Sequence, residues 1–376
     1  MSLHIVIAAG GTGGHMIPGH AVALELTARG HDVTLVTDDR GLAYPGLFPN
    51  MPKHVIASAS PNRSGIGAML HTVRSILEGK AAAQRLYASY RPAVVAGFGG
   101  YPALPAMWGA ISAKVPTLIH EQNAVLGRAN RLLAGRVDRV ATSFAQTQRM
   151  PAKAERTLVV TGNPVRQEFV AMRELPFPAF HEDSVFRVLV IGGSQGARIL
   201  SDVVPGALDL LPVSLRRRLQ VTQQCRPEDI EGVRATYARL NIAADLATYM
   251  EDIPERLKWA HLAIARSGAS TLAELTAAGR PAILVPLPSA VDDHQTANCR
   301  DIVAAGGARM IRQSAFTPVE VAKQIQKIAL EPGALVNAAA RARSLGMPDA
   351  AARLADEIEM LGGRTPTRAT TGETQA

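Results

Sequence analysis

A glycine-rich turn directly follows an apolar strand twice in this 376-residue chain, once in each half. The first copy is His4-Ile-Val-Ile-Ala-Ala-Gly-Gly-Thr-Gly-Gly-His15, and the second is Phe186-Arg-Val-Leu-Val-Ile-Gly-Gly-Ser-Gln-Gly-Ala197. Gly10-Gly11-Thr12 aligns with Gly192-Gly193-Ser194, so the chain reads as two similar domains joined near its middle. Glycines at such a turn let the backbone bend sharply and let a ligand approach the amides. A helix that opens just after it aims unpaired N–H groups and its positive dipole end at that ligand. One such site in each domain predicts a cleft for a phosphorylated donor and a second substrate.

Strands are expected at His4–Ala8, Asp32–Thr37, Val55–Ala57, Ala93–Ala96, Thr117–His120, Arg139–Ala141 and Thr157–Val160 in the first half. In the second half they fall at Phe186–Ile191, Leu219–Thr222, Ala247–Tyr249, Leu262–Ala265, Ala282–Val285 and Ala308–Ile311. Amphipathic helices, such as Pro18–Arg29 and Ile66–Ser89, run between them. Such alternation predicts an α/β fold: two Rossmann-like, doubly wound parallel sheets with right-handed crossovers. The first domain is expected over 1–163, with a Pro-spaced linker at Gly162–Asp183, and the second over 164–344. A last helix, over about 345–361, is expected to return to the first domain, and 362–376 has no apolar period. Pro92–Ala113 carries no charge over a length that could span a bilayer. Its prolines and glycines make it strand, turn and helix instead.

The net charge of +8 and pI near 9.8 suit a phosphate, nucleic-acid or anionic-membrane partner. No Lys/Arg run with interleaved aromatics is present, so nucleic acid is not expected. Cys225 and Cys299 stand apart without metal-ligand spacing, as in a reducing compartment. The first strand begins almost at Met1, so no signal peptide is expected.

Every motif falls at the carboxyl end of a strand, where open parallel sheets bind ligands. The first loop has no Gly-Lys-Ser/Thr ending, and Met16 occupies the place of a dinucleotide fingerprint's third glycine. Asp38 and Asp39 nevertheless stand where a ribose-binding acid would, which keeps a dehydrogenase open. His15 is either a base or hydrogen-bond donor near a sugar hydroxyl or phosphate, or a helix-capping residue. Gly192–Ala197 suits a diphosphate without a metal, or is simply a tight turn. In Arg266-Ser-Gly-Ala-Ser-Thr-Leu-Ala-Glu-Leu275, Ser267 and Ser270 add donors at a helix start, and Glu274 can accept from a ribose diol. Thr271 and Glu274 also fit a capping box. In Asp292-Asp-His-Gln-Thr-Ala-Asn298, Gln295 and Asn298 share a helical face and can read sugar hydroxyls. Asp292, Asp293 and His294 diverge at a helix start, so no metal is expected. Glu121 of His120-Glu-Gln-Asn123 and Arg166 of Gly162-Asn-Pro-Val-Arg166 complete the set as a carboxylate and an anion contact.

With GGTGGH, GFGGY (97–101), HEQN, GNPVR, GGSQGAR, RSGASTLAEL and DDHQxxN in this order, the chain resembles the MurG family over residues 4–361. These are bacterial cell-wall N-acetylglucosaminyltransferases of the GT-B fold, in glycosyltransferase family 28. The resemblance implies inverting transfer of GlcNAc from UDP-GlcNAc to the 4-hydroxyl of MurNAc in undecaprenyl-diphospho-MurNAc-pentapeptide (lipid I), giving lipid II and UDP without a cofactor. It implies donor contacts at Thr12, Gly13, Gly14, Asn123, Arg166, Ser194, Met250, Gln295 and Asn298, and at Ala269, Ser270, Thr271, Leu272, Ala273 and Glu274. His15 and Glu121 are the two candidates for the base. The implied location is the cytoplasmic face of the inner membrane, peripherally attached, with other cell-wall synthesis proteins as possible partners. The rivals are a GT-B enzyme with another acceptor, a UDP-sugar epimerase, and a non-catalytic nucleotide-sugar-binding protein.

A lipid-linked acceptor requires docking on an anionic membrane surface. The candidate patch is Ile66, Met69, Leu70, Val73 and Leu77 at helical spacing, with Arg63, Arg74 and Lys80 beside them and Trp108 and Ile111 extending it. The same stripe also suits packing on the sheet.

Overall fold

The computed structural model describes residues 2–44, 46–58, 66–181, 183–193, 196–331 and 333–363, with backbone alone for 66–68. The chain forms two compact units, Met1–Arg166 with Pro348–Ala376, and Gln167–Met347. The polypeptide therefore crosses between them twice.

In the first unit seven strands pair in parallel: β1 (His4–Ala8), β2 (Asp32–Thr37), β3 (Lys53–Val55), β4 (Val94–Gly97), β5 (Thr117–Glu121), β6 (Arg139–Thr142) and β7 (Leu158–Val160). Their order is β3-β2-β1-β4-β5-β6-β7. The second unit has six: β8 (Phe186–Ile191), β9 (Leu219–Gln224), β10 (Ala243–Ala247), β11 (Leu262–Ala265), β12 (Ala282–Leu284) and β13 (Ala308–Met310), in the order β10-β9-β8-β11-β12-β13. Each sheet thus reverses direction beside its first strand, at β1/β4 and at β8/β11. Such a switch point opens a crevice at the strands' carboxyl ends.

The helices that matter are α1 (Gly13–Ala28), α2 (Ile66–Tyr90), α3 (Gly100–Ser112), α4 (Arg198–Asp209), α5 (Ala269–Ala277) and α6 (Ala350–Leu361). Both faces of the first sheet are buried, because successive strand residues alternate sides. Val6 and Ala8 join Leu104, Met107 and Tyr87 on one face, while Ile5 and Ile7 join Val22, Leu26, Leu354 and Ile358 on the other. The last helix, α6, therefore completes the core of the first unit.

Most expected strands lie within a residue or two of those observed. Two are displaced, and both are sheet edges: β3 precedes the expected Val55–Ala57, and β10 precedes the expected Ala247–Tyr249. An edge strand accepts charges that a central one rejects. Lys53 lies exposed in β3, and Asp245 in β10 pairs with Arg256. Helix α1 begins five residues before the expected Pro18, so the glycine loop itself supplies its first turn. The uncharged stretch Pro92–Ala113 is β4, a turn and α3. Among the described residues no helix is long and apolar enough to cross a membrane.

Candidate active site

In the first unit the loop after β1 is built by exclusion. A Cβ on Gly10 would lie 2.6 Å from Pro102 Cβ and 2.8 Å from Asp38 Oδ1. Asp38 accepts from Gly11 N–H (3.2 Å), Gly41 N–H (3.1 Å) and Arg40 Nε (2.8 Å). Its carboxylate is committed to shaping this loop, so of the two acids expected for a dinucleotide ribose only the exposed Asp39 remains uncommitted to it. Thr12 is the N-cap of α1, and its side chain makes no cap bond among the described residues. Thr12 and Gly14 are exposed and Gly13 is buried, so backbone N–H groups are what this turn offers a ligand.

His15 is half-buried in the first turn of α1, and its Nδ1 lies 3.2 Å from Gln122 Oε1. Its ring rests on the β4–α3 turn, where Gly99 and Gly100 have φ of +84° and +74°. A Cβ at Gly100 would approach His15 Cδ2 to 3.1 Å, and one at Gly99 would approach Nδ1 to 3.4 Å. Both the left-handed backbone and the close ring require glycine.

Glu121, the other candidate base, is buried (2% exposed). Its Oε1 accepts from Asn123 N–H (3.0 Å) and Asn123 Nδ2 (3.2 Å). Its Oε2 accepts from Gly127 N–H (2.8 Å) and Asn130 Nδ2 (2.8 Å). Four donors occupy the carboxylate, which knits the loop after β5. The neighbouring His120 is fully buried and donates from Nε2 to Gly162 O at 2.9 Å. Burial pushes its imidazole down to about 4, so it is neutral near pH 7. Arg166 is half-buried at the end of this unit.

In the second unit Gly192 N–H donates to Gln224 Oε1 (3.1 Å), and Gln224 Nε2 donates back to Gly193 O (3.0 Å). A Cβ on Gly192 would lie 2.3 Å from Ala197 N, so no other residue fits. Ser194 lies outside the described residues. After β11, Gly268 is the N-cap of α5 with no side-chain cap among the described residues. Thr271 therefore sits inside the helix, and the capping box with Glu274 does not form. Ala269 and Leu272 are buried, while Ser270, Thr271, Ala273 and Glu274 are half-buried. The Ser270 hydroxyl is buried with no hydrogen-bond partner among the described residues. A lone buried hydroxyl at an uncapped helix start is chemistry for an anion.

Ser267 Oγ donates to Gln295 O (3.0 Å), and Asn298 Nδ2 donates to Ser267 O (3.2 Å). Gln295 Oε1 accepts from Leu287 N–H at 3.0 Å. These amides brace the loop before α5. This corrects the expectation that both simply face a sugar: Asn298 is buried behind the loop. Asp293 accepts from Thr296 Oγ1 (2.7 Å), while His294 Nδ1 donates to Val291 O (2.8 Å), so the two side chains diverge. Met250 is buried three residues beyond β10. His120, Gln122 and Asn130 were not singled out by the sequence. The available signal is strand alternation, which puts His120 and Gln122 on one face and Glu121 on the other.

The models of the glycosyltransferase family 28 N-terminal and C-terminal domains match residues 5–142 and 187–354. The chain is 58% identical, over 97% of its length and 94% of the relative's, to the UDP-N-acetylglucosamine–N-acetylmuramyl-(pentapeptide) pyrophosphoryl-undecaprenol N-acetylglucosamine transferase of Zymomonas mobilis. The protein of the same name from Novosphingobium aromaticivorans is also 58% identical, over 96% of this chain and 93% of its own. The crystal structure of MurG from Acinetobacter baumannii superposes with a TM-score of 0.78 at 32% identity, covering 95% of this chain and 99% of that one. UDP-GlcNAc 2-epimerase from Neisseria meningitidis, at 15% identity and a TM-score of 0.63, shares the fold. The chain belongs to glycosyltransferase family 28 and carries both domains of that family.

Proposed function

We propose that this protein transfers N-acetylglucosamine from UDP-GlcNAc to the 4-hydroxyl of MurNAc in undecaprenyl-diphospho-MurNAc-pentapeptide, inverting the anomeric carbon and releasing UDP. The observation that carries this is the 58% identity, over nearly the whole chain, to relatives named for that transfer. In the second unit the uncapped start of α5, the Ser270 hydroxyl and the Ser194 loop receive the diphosphate; Arg166, at the end of the first unit, is that unit's candidate anion contact. Glu274 holds the ribose diol, Met250 offers backbone to the uracil, and Gln295 contacts the donor sugar. His15 takes the proton of the acceptor hydroxyl as its oxygen bonds to C1. The C1–O bond to the diphosphate breaks, and its electron pair leaves on UDP, stabilised by the donors around it.

The test is UDP release from UDP-GlcNAc with and without a lipid I analogue. Release that depends on the analogue and yields a β1→4 disaccharide supports transfer; acceptor-independent conversion of UDP-GlcNAc would indicate epimerase chemistry. In the same assay Glu274→Ala is expected to weaken UDP-GlcNAc binding by about 1.5–3 kcal/mol, the scale of hydrogen bonds to a charged group. Normal UDP affinity with a lowered Tm would make Glu274 a structural residue only.

The acceptor's polyprenyl tail stays in the bilayer, so the enzyme works at the surface of the inner membrane, on its cytoplasmic side. Helix α2 supports a docking patch of anionic-lipid character. Met69, Leu70, Val73 and Leu77 are 70%, 64%, 48% and 58% exposed, whereas Ala83 and Tyr87 of the same helix join the core. The stripe is thus not the core-facing side. Arg74 is exposed beside it and Lys80 half-exposed. Ile66 and Arg63 fall outside the described side chains, and Trp108 and Ile111 pack against the core cluster. Apolar residues with basic ones beside them suit an interfacial site, and Arg74 here also pairs with Glu78 at 2.7 Å. Vesicle affinity, read by sedimentation with phosphatidylglycerol-containing vesicles, is expected to drop about thirtyfold for Met69→Ser/Leu70→Ser, as each exchange removes on the order of 1 kcal/mol of apolar burial and every ~1.4 kcal/mol is tenfold. Equal binding by the folded double variant would retire the patch, and insensitivity to salt would remove its electrostatic part.

A further inference from the structure

The base reading of His15 leaves one question of chemistry open: which ring nitrogen carries the proton before the reaction. A chain of hydrogen bonds behind the ring answers it. It begins at Gly162 O, which can only accept, so His120 must present Nε2–H to it across 2.9 Å. The neutral His120 ring then has a bare Nδ1, and Gln122 Nε2 lies 3.1 Å from it. The orientation of the Gln122 amide is fixed independently, since the same nitrogen donates to Phe98 O at 3.0 Å and reaches His120 O at 3.3 Å. An oxygen turned to that side would face two carbonyls. Gln122 Oε1 therefore points to His15 Nδ1, 3.2 Å away, and only an N–H there is compatible with it.

We propose that Gln122 and His120 are positioning residues that hold neutral His15 in its Nδ1–H form, leaving the lone pair on Nε2 to receive the acceptor's proton. Free imidazole side chains favour the opposite form, with the proton on Nε2, which could not act as base at that nitrogen. The Gly99-Gly100 turn leaves room for the ring in this position, since a Cβ at Gly100 would lie 3.1 Å from Cδ2. A neutral amide oxygen, rather than a carboxylate, is the partner of His15, so the relay selects a tautomer without adding a negative charge. The inference rests on His15 being the base, but its own content is the position of a proton.

The test is nitrogen-15 NMR of histidine-labelled, full-length protein at a pH where His15 is neutral, with its signals identified by their loss in His15→Gln. The wild type is expected to show Nδ1 as the protonated, pyrrole-type nitrogen and Nε2 as the bare, pyridine-type one. In Gln122→Met, which keeps the side chain's length without its hydrogen bonds, the population is expected to move towards Nε2–H. kcat is then expected to fall about tenfold with KM for UDP-GlcNAc unchanged, as for loss of base alignment without loss of binding. A wild type in the Nε2–H form overturns the proposal without any variant, and so does an unchanged tautomer in Gln122→Met. A tautomer that moves while kcat stays constant leaves the relay standing and defeats the base reading instead.

Discussion

His15→Ala is expected to lower kcat on the order of 100-fold or more, with UDP affinity nearly intact, as for removal of a general base. The expectation follows from where the side chain sits. It is half-buried at the first turn of α1, on glycines that admit its ring, and its partner is another side chain rather than its own helix end. A capping histidine would cost stability when removed; this one is expected to leave Tm close to that of the wild type. Calorimetric binding of UDP and a single-turnover assay with a lipid I analogue separate the outcomes. A normal kcat would end the assignment. Glu121 would not then be the obvious heir, because its replacement leaves Gly127 N–H and Asn130 Nδ2 without the oxygen they share. Such a variant is expected to lose the β5 loop together with activity, which is the signature of an anchor.

The contrast between these two residues shows what a sequence can and cannot disclose. Both were recognisable as polar groups at strand ends, because apolar runs closed by glycine turns mark those ends clearly. The strands at the two switch points, β1 and β8, have the bounds that their apolar runs predict, since central parallel strands are apolar on both faces. Edge strands are less legible: β10 carries Asp245 and begins four residues before the expected segment. Which polar group is spent on the fold is a question of distance. Asp38 looked like a ribose ligand and proves to close its own loop. The Thr271 and Glu274 pair looked like a capping box, yet the helix begins two residues before Thr271 with Gly268 as its cap. His120 and Gln122 sat inside a motif whose acid drew the attention, although alternation through the end of β5 and one residue beyond puts them together on the other face.

The return of the last helix to the first unit has a cause that single substitutions can test. Arg29, at the end of α1, is 2% exposed in its side chain, and its Nη1 donates to Asp356 (2.7 Å) and Glu359 (2.7 Å) of α6. Its Nε donates to Glu25 (2.8 Å) and its Nη2 to Ala352 O (3.1 Å). Glu359 is fully buried and also accepts from His31 Nε2 at 2.8 Å; that tautomer is fixed because Leu3 N–H donates to His31 Nδ1. Removing the arginine leaves a buried carboxylate without its strongest partner, which costs about 3–5 kcal/mol, whereas replacing a whole buried pair by apolar groups can be nearly neutral. Arg29→Met is therefore expected to lower the Tm of the first unit by about 10 °C, at about 2–4 °C per kcal/mol for a domain of this size. Arg29→Met/Glu359→Leu is expected to recover most of that loss. The melting of the second unit, the one UDP raises on the proposed reading, is expected to stay near the wild-type value in both variants. If the double variant is as unstable as the single one, packing of the arginine stem rather than charge pairing holds α6 in place.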